Sequence, residues 1–189
     1  VLIGNERDIL YNRSYGNFTY DENSPVVTDY TMYDLASVTK VLATTSAIMK
    51  LYDQRKFNLS DKVSYYIPEF GSNGKEDITI LNLLIHNSGL TAFVPFYKYY
   101  SNSEEVMDEI YNAELEYPTG SQSVYSDLNA VILGKLVEKI SGKDLNQYCI
   151  DNIFLPLDMQ NTMFVPDDSR KDKIAPTEED TYWRGRLLQ

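Results

Sequence analysis

The chain has 189 residues, 43% of them hydrophobic, and a formal net charge of −11. That is enough apolar material for one sizeable core, and it sets a single domain as the expectation. The acidic balance excludes the basic patches that nucleic-acid or anionic-membrane binding requires, and no apolar run approaches the length of a transmembrane helix.

Residues 1–11 alternate around Asn5-Glu6-Arg7-Asp8 and predict two strands joined by a tight turn. The chain starts in mid-strand at Val1-Leu2-Ile3-Gly4, which sets the expectation that a leader precedes it. Residues 12–36 read as irregular. A long apolar helix is predicted from Ser37 to about Lys56, with Val41, Leu42, Ile48, Met49 and Tyr52 along it. Residues 58–70 read as a short helix and turn, with Ser60 as cap and Pro68 as stop. Thr79 is expected to cap a helix over Ile80–His86 that ends at Asn87-Ser88-Gly89. The aromatic stretch 91–101 fits either an ordered loop at a pocket rim or a segment covering the core, with the second preferred. Helices are predicted from Ser103 to Asn112, over Leu128–Ile140 ending at Gly142, and from an Asp144 cap to about Asn152. The acidic tail, with Pro166 and Pro176, reads as loop. Cys149, the only cysteine, is expected in the core, and a single histidine, His86, excludes multi-histidine metal sites.

The chemistry centres on Ser37-Val38-Thr39-Lys40. Residues three apart share a helix face, so the Lys40 amine can reach the Ser37 hydroxyl, a nucleophile that needs a neighbouring base. The helix N-terminus adds backbone N–H groups and partial positive charge suited to an oxyanion. The plainer reading of Ser37 is a helix N-cap. Ser72-Asn73-Gly74-Lys75 has the same spacing but sits in a glycine-containing loop, where nothing fixes the two side chains together. Further on, Tyr125-Ser126-Asp127 precedes an apolar helix. A phenol beside an ammonium favours its phenolate and can act as a base; the alternative is a buried tyrosine with an aspartate cap.

Taken together these segments resemble the serine β-lactamase and penicillin-binding-protein-like family, in the branch with class C β-lactamases, D,D-peptidases and related esterases. Leu35-Ala36-Ser37-Val38-Thr39-Lys40 resembles its nucleophile motif. Leu83-Leu84-Ile85-His86-Asn87-Ser88-Gly89-Leu90 is similar to its Leu-Leu-x-His-x-Ser-Gly-Leu segment, and Tyr125-Ser126-Asp127 to its Tyr-x-Asn element. Asn152-Ile153-Phe154-Leu155-Pro156-Leu157-Asp158-Met159 resembles a further signature. The resemblance implies an α+β fold of the β-lactamase/transpeptidase type, an antiparallel sheet packed with helices plus a helical insertion. On that frame residues 1–36 are N-terminal strands and loop, 37–57 the nucleophile helix, 58–124 the helical insertion, and 125–189 the tyrosine motif, helices and tail.

Two departures qualify the implied function. The family's Lys/His-x-Gly motif does not appear before Gln189, so the chain is expected to be a fragment without the C-terminal strands, poorly active by itself. Asp127 stands where the family has asparagine; a carboxylate accepts but cannot donate to a substrate carbonyl, and it favours a charged Lys40. The implied function is a serine hydrolase acting through an acyl-enzyme on a small-molecule or peptide-like ester or amide. Ser37 is the implied nucleophile, Lys40 and Tyr125 the proton-transfer pair, and Asp127 a substrate-binding residue. No cofactor or metal is called for, and an extracytoplasmic location is implied by the resemblance alone. The alternative is a non-catalytic member that binds peptides or cell-wall fragments. His86 is assigned to structure.

Overall fold

The computed structural model describes residues 1–188. They divide into two compact units, one made of Val1–Ala36 with the segment from Asn161 onward, the other of Ser37–Gln160.

In the first unit, β1 (Leu2–Gly4) pairs antiparallel with β2 (Ile9–Asn12), placing Leu2 opposite Asn12 and Ile3 opposite Tyr11. The turn is closed by Asn5, whose Oδ1 accepts the backbone N–H groups of Arg7 (2.8 Å) and Asp8 (2.9 Å), as short polar side chains do in place of backbone. The tail holds more structure than the loop its sequence predicts. A 3₁₀ segment, Asp168–Lys173, leads to β3 (Glu178–Asp180), paired antiparallel with β4 (Arg186–Leu188). Its organiser is Asp180, a buried carboxylate that accepts N–H bonds from Tyr182, Trp183 and Arg184 and pairs with the Arg184 guanidinium at 3.1 Å. An acidic strand of three residues has no apolar alternation by which sequence could reveal it.

The second unit is helical. Its first helix is entered through a π-helical segment, Lys40–Thr45, that runs into α1 (Ser46–Asp53). Ala43, Ala47, Ile48 and Leu51 form the buried face, while Val41, Met49 and Tyr52 are exposed. There follow α2 (Val63–Tyr66), α3 (Ile80–Leu84), α4 (Ser103–Asn112), α5 (Asp127–Ser141) and α6 (Leu145–Cys149), the last continuing as a π-helical segment, Ile150–Phe154. The predicted caps at Thr79 and Asp144 are present: Thr79 and Asn82 cap α3 reciprocally, and Asp144 accepts the Gln147 N–H at 2.9 Å. α4 has the predicted bounds, and Asn102 caps it by accepting the Glu105 N–H at 2.9 Å. Gly142 ends α5 at φ +72°, the left-handed conformation glycine adopts freely.

α5 is the centre of the core. Leu128, Ile132, Leu136 and Val137 are essentially inaccessible, and the helix packs on α1, α2, α3 and α6. Burying each such side chain contributes about 1.5–3 kcal/mol. Cys149 lies in this core as predicted, and burial pushes its thiol up to about 11. The aromatic stretch departs from the preferred reading: Phe93, Tyr97 and Tyr99 are exposed rather than laid over the core.

The second Ser-x-x-Lys turns out to be a helix clamp. Ser72 Oγ donates to Tyr111 O (3.0 Å), Asn73 Nδ2 to Asn112 O (2.8 Å), and Lys75 Nζ to Ala113 O. These are carbonyls at the end of α4, which lack partners within the helix and carry its negative pole. Lys75 is fully buried, with its ammonium 5.8 Å from the centre of the Phe70 ring, and burial holds its pKa below the usual lysine value. Lys75→Ala is expected to destabilise the protein by about 2–4 kcal/mol, because it leaves a cavity and strips Ala113 O of its donor. A melting temperature lower by on the order of 10 °C is the corresponding readout; an unchanged one would show that the clamp carries no stability.

Candidate active site

Ser37 lies in a turn immediately before the first helical residues, exposed to solvent. The residue before it, Ala36, has φ +43°, a conformation uncommon for a residue with a Cβ and typical of sites where the backbone must turn sharply. One turn on, Lys40 opens the π-helical segment. Its Nζ donates to Ser37 Oγ at 2.9 Å, and its backbone N–H bonds Ser37 O at 3.1 Å. The three-residue spacing thus brings amine and hydroxyl together, and the Ser37 hydroxyl is engaged by the lysine rather than spent on a cap. The helical register there is wider than the plain α-helix predicted, a feature often found beside functional residues.

The same ammonium faces the second motif. Lys40 Nζ is 2.9 Å from Asp127 Oδ1 and 5.3 Å from the centroid of the Tyr125 ring. Burial by itself lowers the Lys40 pKa, but hydrogen bonding to Tyr125 and Asp127 and the attraction of both outweigh it, so the net shift is upward. Tyr125 moves the other way. Hydrogen bonding to Lys40 and Ser37 lowers its pKa below the usual phenol value, against smaller upward contributions from burial and from the Asp127 charge. Ammonium and phenol therefore stand as an acid–base couple whose ionised forms favour each other.

Tyr125 is carried by a short extended segment pinned to the turn that follows α3. Val124 N–H bonds His86 O (2.8 Å), Ser126 Oγ donates to Thr91 O (2.6 Å), and Asp127 N–H bonds Ala92 O (2.9 Å). Ser126 is buried between them, so by the two-residue alternation of extended chain Tyr125 faces outward, 53% exposed, toward Lys40. Gly89 makes the close approach possible. Its φ is +97°, and a Cβ there would lie 2.4 Å from Tyr117 O, within the stretch that brings the chain back to Tyr125.

The sequence reading singled out Ser37, Lys40, Tyr125 and Asp127, and all four meet around one ammonium. Two further residues adjoin them, of which Asn129 has no role in the sequence reading. His86, taken as structural, has its ring 4.8 Å from that of Tyr125, and Asn129 is a fully buried amide 3.1 Å from His86 Nδ1. The available signal for Asn129 was an amide on the otherwise apolar buried face of α5. Among the described residues no group of three or more His, Cys, Asp or Glu side chains is arranged to hold a metal, and no helix is long and apolar enough to cross a membrane.

A Beta-lactamase family model matches residues 1–187. The chain is 37% identical over 149 residues to the N-acetylmuramyl-L-alanine amidase of Bacillus subtilis (strain 168), covering 72% of this chain and 34% of that protein. It is 32% identical over 199 residues to the Escherichia coli (strain K12) protein named "Putative D-alanyl-D-alanine carboxypeptidase", covering 94% and 46%. FmtA from Staphylococcus aureus matches with a TM-score of 0.79 at 26% identity, over 89% of this chain and 47% of that one. A class C beta-lactamase matches in fold with a TM-score of 0.76 at 20% identity, over 93% and 47%. The chain spans between about a third and a half of the length of these proteins.

Proposed function

The chain belongs to the beta-lactamase family, and on that premise we propose that the whole protein is a serine hydrolase acting through an acyl-enzyme on Ser37. The observation that carries this reading is the single ammonium of Lys40, 2.9 Å from both Ser37 Oγ and Asp127 Oδ1 and facing the Tyr125 phenol.

The Tyr125 phenolate takes the Ser37 proton as Oγ attacks the carbonyl carbon of an ester or amide. The tetrahedral oxyanion is met by the Ser37 backbone N–H, a contact of a kind worth about 2.7–4 kcal/mol. As the carbonyl reforms, the leaving oxygen or nitrogen takes the proton from Tyr125, and the acyl group remains on Ser37. Water then repeats the sequence, delivering its proton to Tyr125 and releasing the acid. Lys40 stays cationic throughout, held so by Asp127, and stabilises the phenolate. The names of the Bacillus and Escherichia relatives point to cell-wall peptides, so D-alanyl peptides and small esters are the proposed substrates, met outside the cytoplasm. Asp127, which cannot donate to a substrate carbonyl, disfavours β-lactam turnover.

The test is the pH profile of kcat/KM for a p-nitrophenyl ester and a D-alanyl-D-alanine peptide, with Asp127→Asn beside the parent. The acid limb reports ionisation of Tyr125, the alkaline limb loss of the Lys40 proton. The Asp127 charge raises both pKa values, so Asp127→Asn is expected to move both limbs to lower pH. Limbs that stay in place would remove Tyr125 as the base and Lys40 as the ammonium that supports its phenolate. Absence of turnover on either substrate class would favour a binding protein of the same fold.

A further inference from the structure

His86 is built into the site more firmly than a helix-ending residue needs to be. Its backbone holds φ +57°, in the left-handed region, and its carbonyl accepts the Val124 N–H one residue before Tyr125. Its imidazole lies against the phenol ring, 4.8 Å between centroids with the planes inclined by 33°. The ring is fixed from behind. Nδ1 accepts the Ser126 backbone N–H at 3.1 Å, so it carries no proton. Asn129 Nδ2 points at the same nitrogen from 3.1 Å, and the amide is oriented by Ser88, whose Oγ donates to Asn129 Oδ1 at 2.7 Å while accepting the Leu90 N–H at 3.2 Å.

Ser88, Ser126 and Asn129 are all fully buried, and a closed chain of satisfied buried polar groups is rigid because breaking any link strands the others. Two donors aimed at Nδ1 leave no place for a second ring proton. Of the charged groups that act on the ring, Lys40 disfavours its protonation and Asp127 favours it; burial, the largest influence, also disfavours it. Geometry and burial together favour the neutral imidazole, with Nδ1 as an acceptor and the ring held in place.

We propose that His86 is a positioning residue, its neutral ring locked by Ser126, Asn129 and Ser88 as the platform that holds the Tyr125 phenol against Lys40 and Ser37. The proposal rests on the assignment of Tyr125 as the base. It explains why a histidine stands at a left-handed position: the backbone must turn there to receive Val124, and the side chain must present a flat face and an acceptor together.

His86→Asn separates the ring from the rest. Asparagine tolerates φ near +57° and keeps an acceptor close to the Nδ1 position, so the fold and the bond to Ser126 are retained while the flat face is lost. Two readouts are taken on the whole protein. The first is the rate of Ser37 labelling by a fluorophosphonate as a function of pH. The second is the ¹³C aromatic spectrum of tyrosine-labelled protein, with Tyr125 assigned by its loss in Tyr125→Phe. In His86→Asn, labelling is expected to slow by about tenfold to a hundredfold, the range that small misplacements of a reacting group produce. Its pH midpoint rises, and Tyr125 loses the imidazole ring-current shift and titrates at higher pH. A labelling rate, midpoint and Tyr125 titration equal to the parent's would show that His86 only maintains the fold. If the parent protein is not labelled at Ser37, the hydrolase reading fails, and the Tyr125 titration still decides whether His86 positions the phenol.

Discussion

Ser37→Ala is expected to lower kcat/KM for an activated ester by on the order of a million-fold, the loss seen when a serine nucleophile is removed from a site that otherwise stays intact. The size of the effect follows from covalent catalysis. Without Oγ there is no acyl-enzyme, and the remaining groups can only bind substrate and polarise its carbonyl. The fold should not notice. Ser37 is exposed and lies in a turn ahead of the helix, and exposed substitutions of this kind stay within about 0.5 kcal/mol of the parent stability. Lys40 loses only one of its partners, since Asp127 remains at 2.9 Å. An alanine variant that keeps more than a hundredth of the parent activity, with an unchanged melting temperature, would move the nucleophile elsewhere.

Tyr125→Phe is expected to cost about 10²–10⁴ in kcat/KM near neutral pH, the contribution of a positioned acid–base group. Phenylalanine keeps the ring that lies against His86 and removes only the hydroxyl, so a fold defect does not confound the result. The pH dependence gives a second reading of the same claim. Lys40 is then the remaining base. Losing the phenol takes away one of the influences that raise its pKa, while Asp127 continues to favour its charged form. Residual activity in Tyr125→Phe should therefore climb with pH as the ammonium deprotonates, where the parent shows an acid limb set by the phenol. A variant with parent-like kcat/KM at neutral pH would leave Tyr125 without a chemical role.

The local parts of the site were legible in the sequence because short-range geometry decides them. Three residues of helix bring Lys40 to Ser37, and a cap such as Thr79 or Asp144 acts on an N–H group three residues away. The π-helical entry was not legible: over the six residues Lys40–Thr45 the apolar spacing does not distinguish one hydrogen-bond register from the next. The approach of Tyr125 to the Ser37–Lys40 pair rested on a resemblance between ordered motifs, since nothing local to Tyr125 specifies where its segment goes. That path is set by bonds to His86, Thr91 and Ala92, far away in the chain. The same holds for Ser72 and Lys75, whose use as an α4 clamp depends on carbonyls nearly forty residues later. Sequence correctly denied that pair the geometry of a nucleophile but could not supply its partner. His86 was read by its helix-ending position, which is right for its backbone and silent about its ring.

The proposal as a whole stands on one covalent bond. The whole protein is treated with a fluorophosphonate, its intact mass recorded, and the adduct located by peptide mapping, with Ser37→Ala alongside. The account predicts a single adduct, on the peptide that contains Ser37, and no label on the alanine variant. A folded protein that takes no label, or takes it on any other residue, would contradict it.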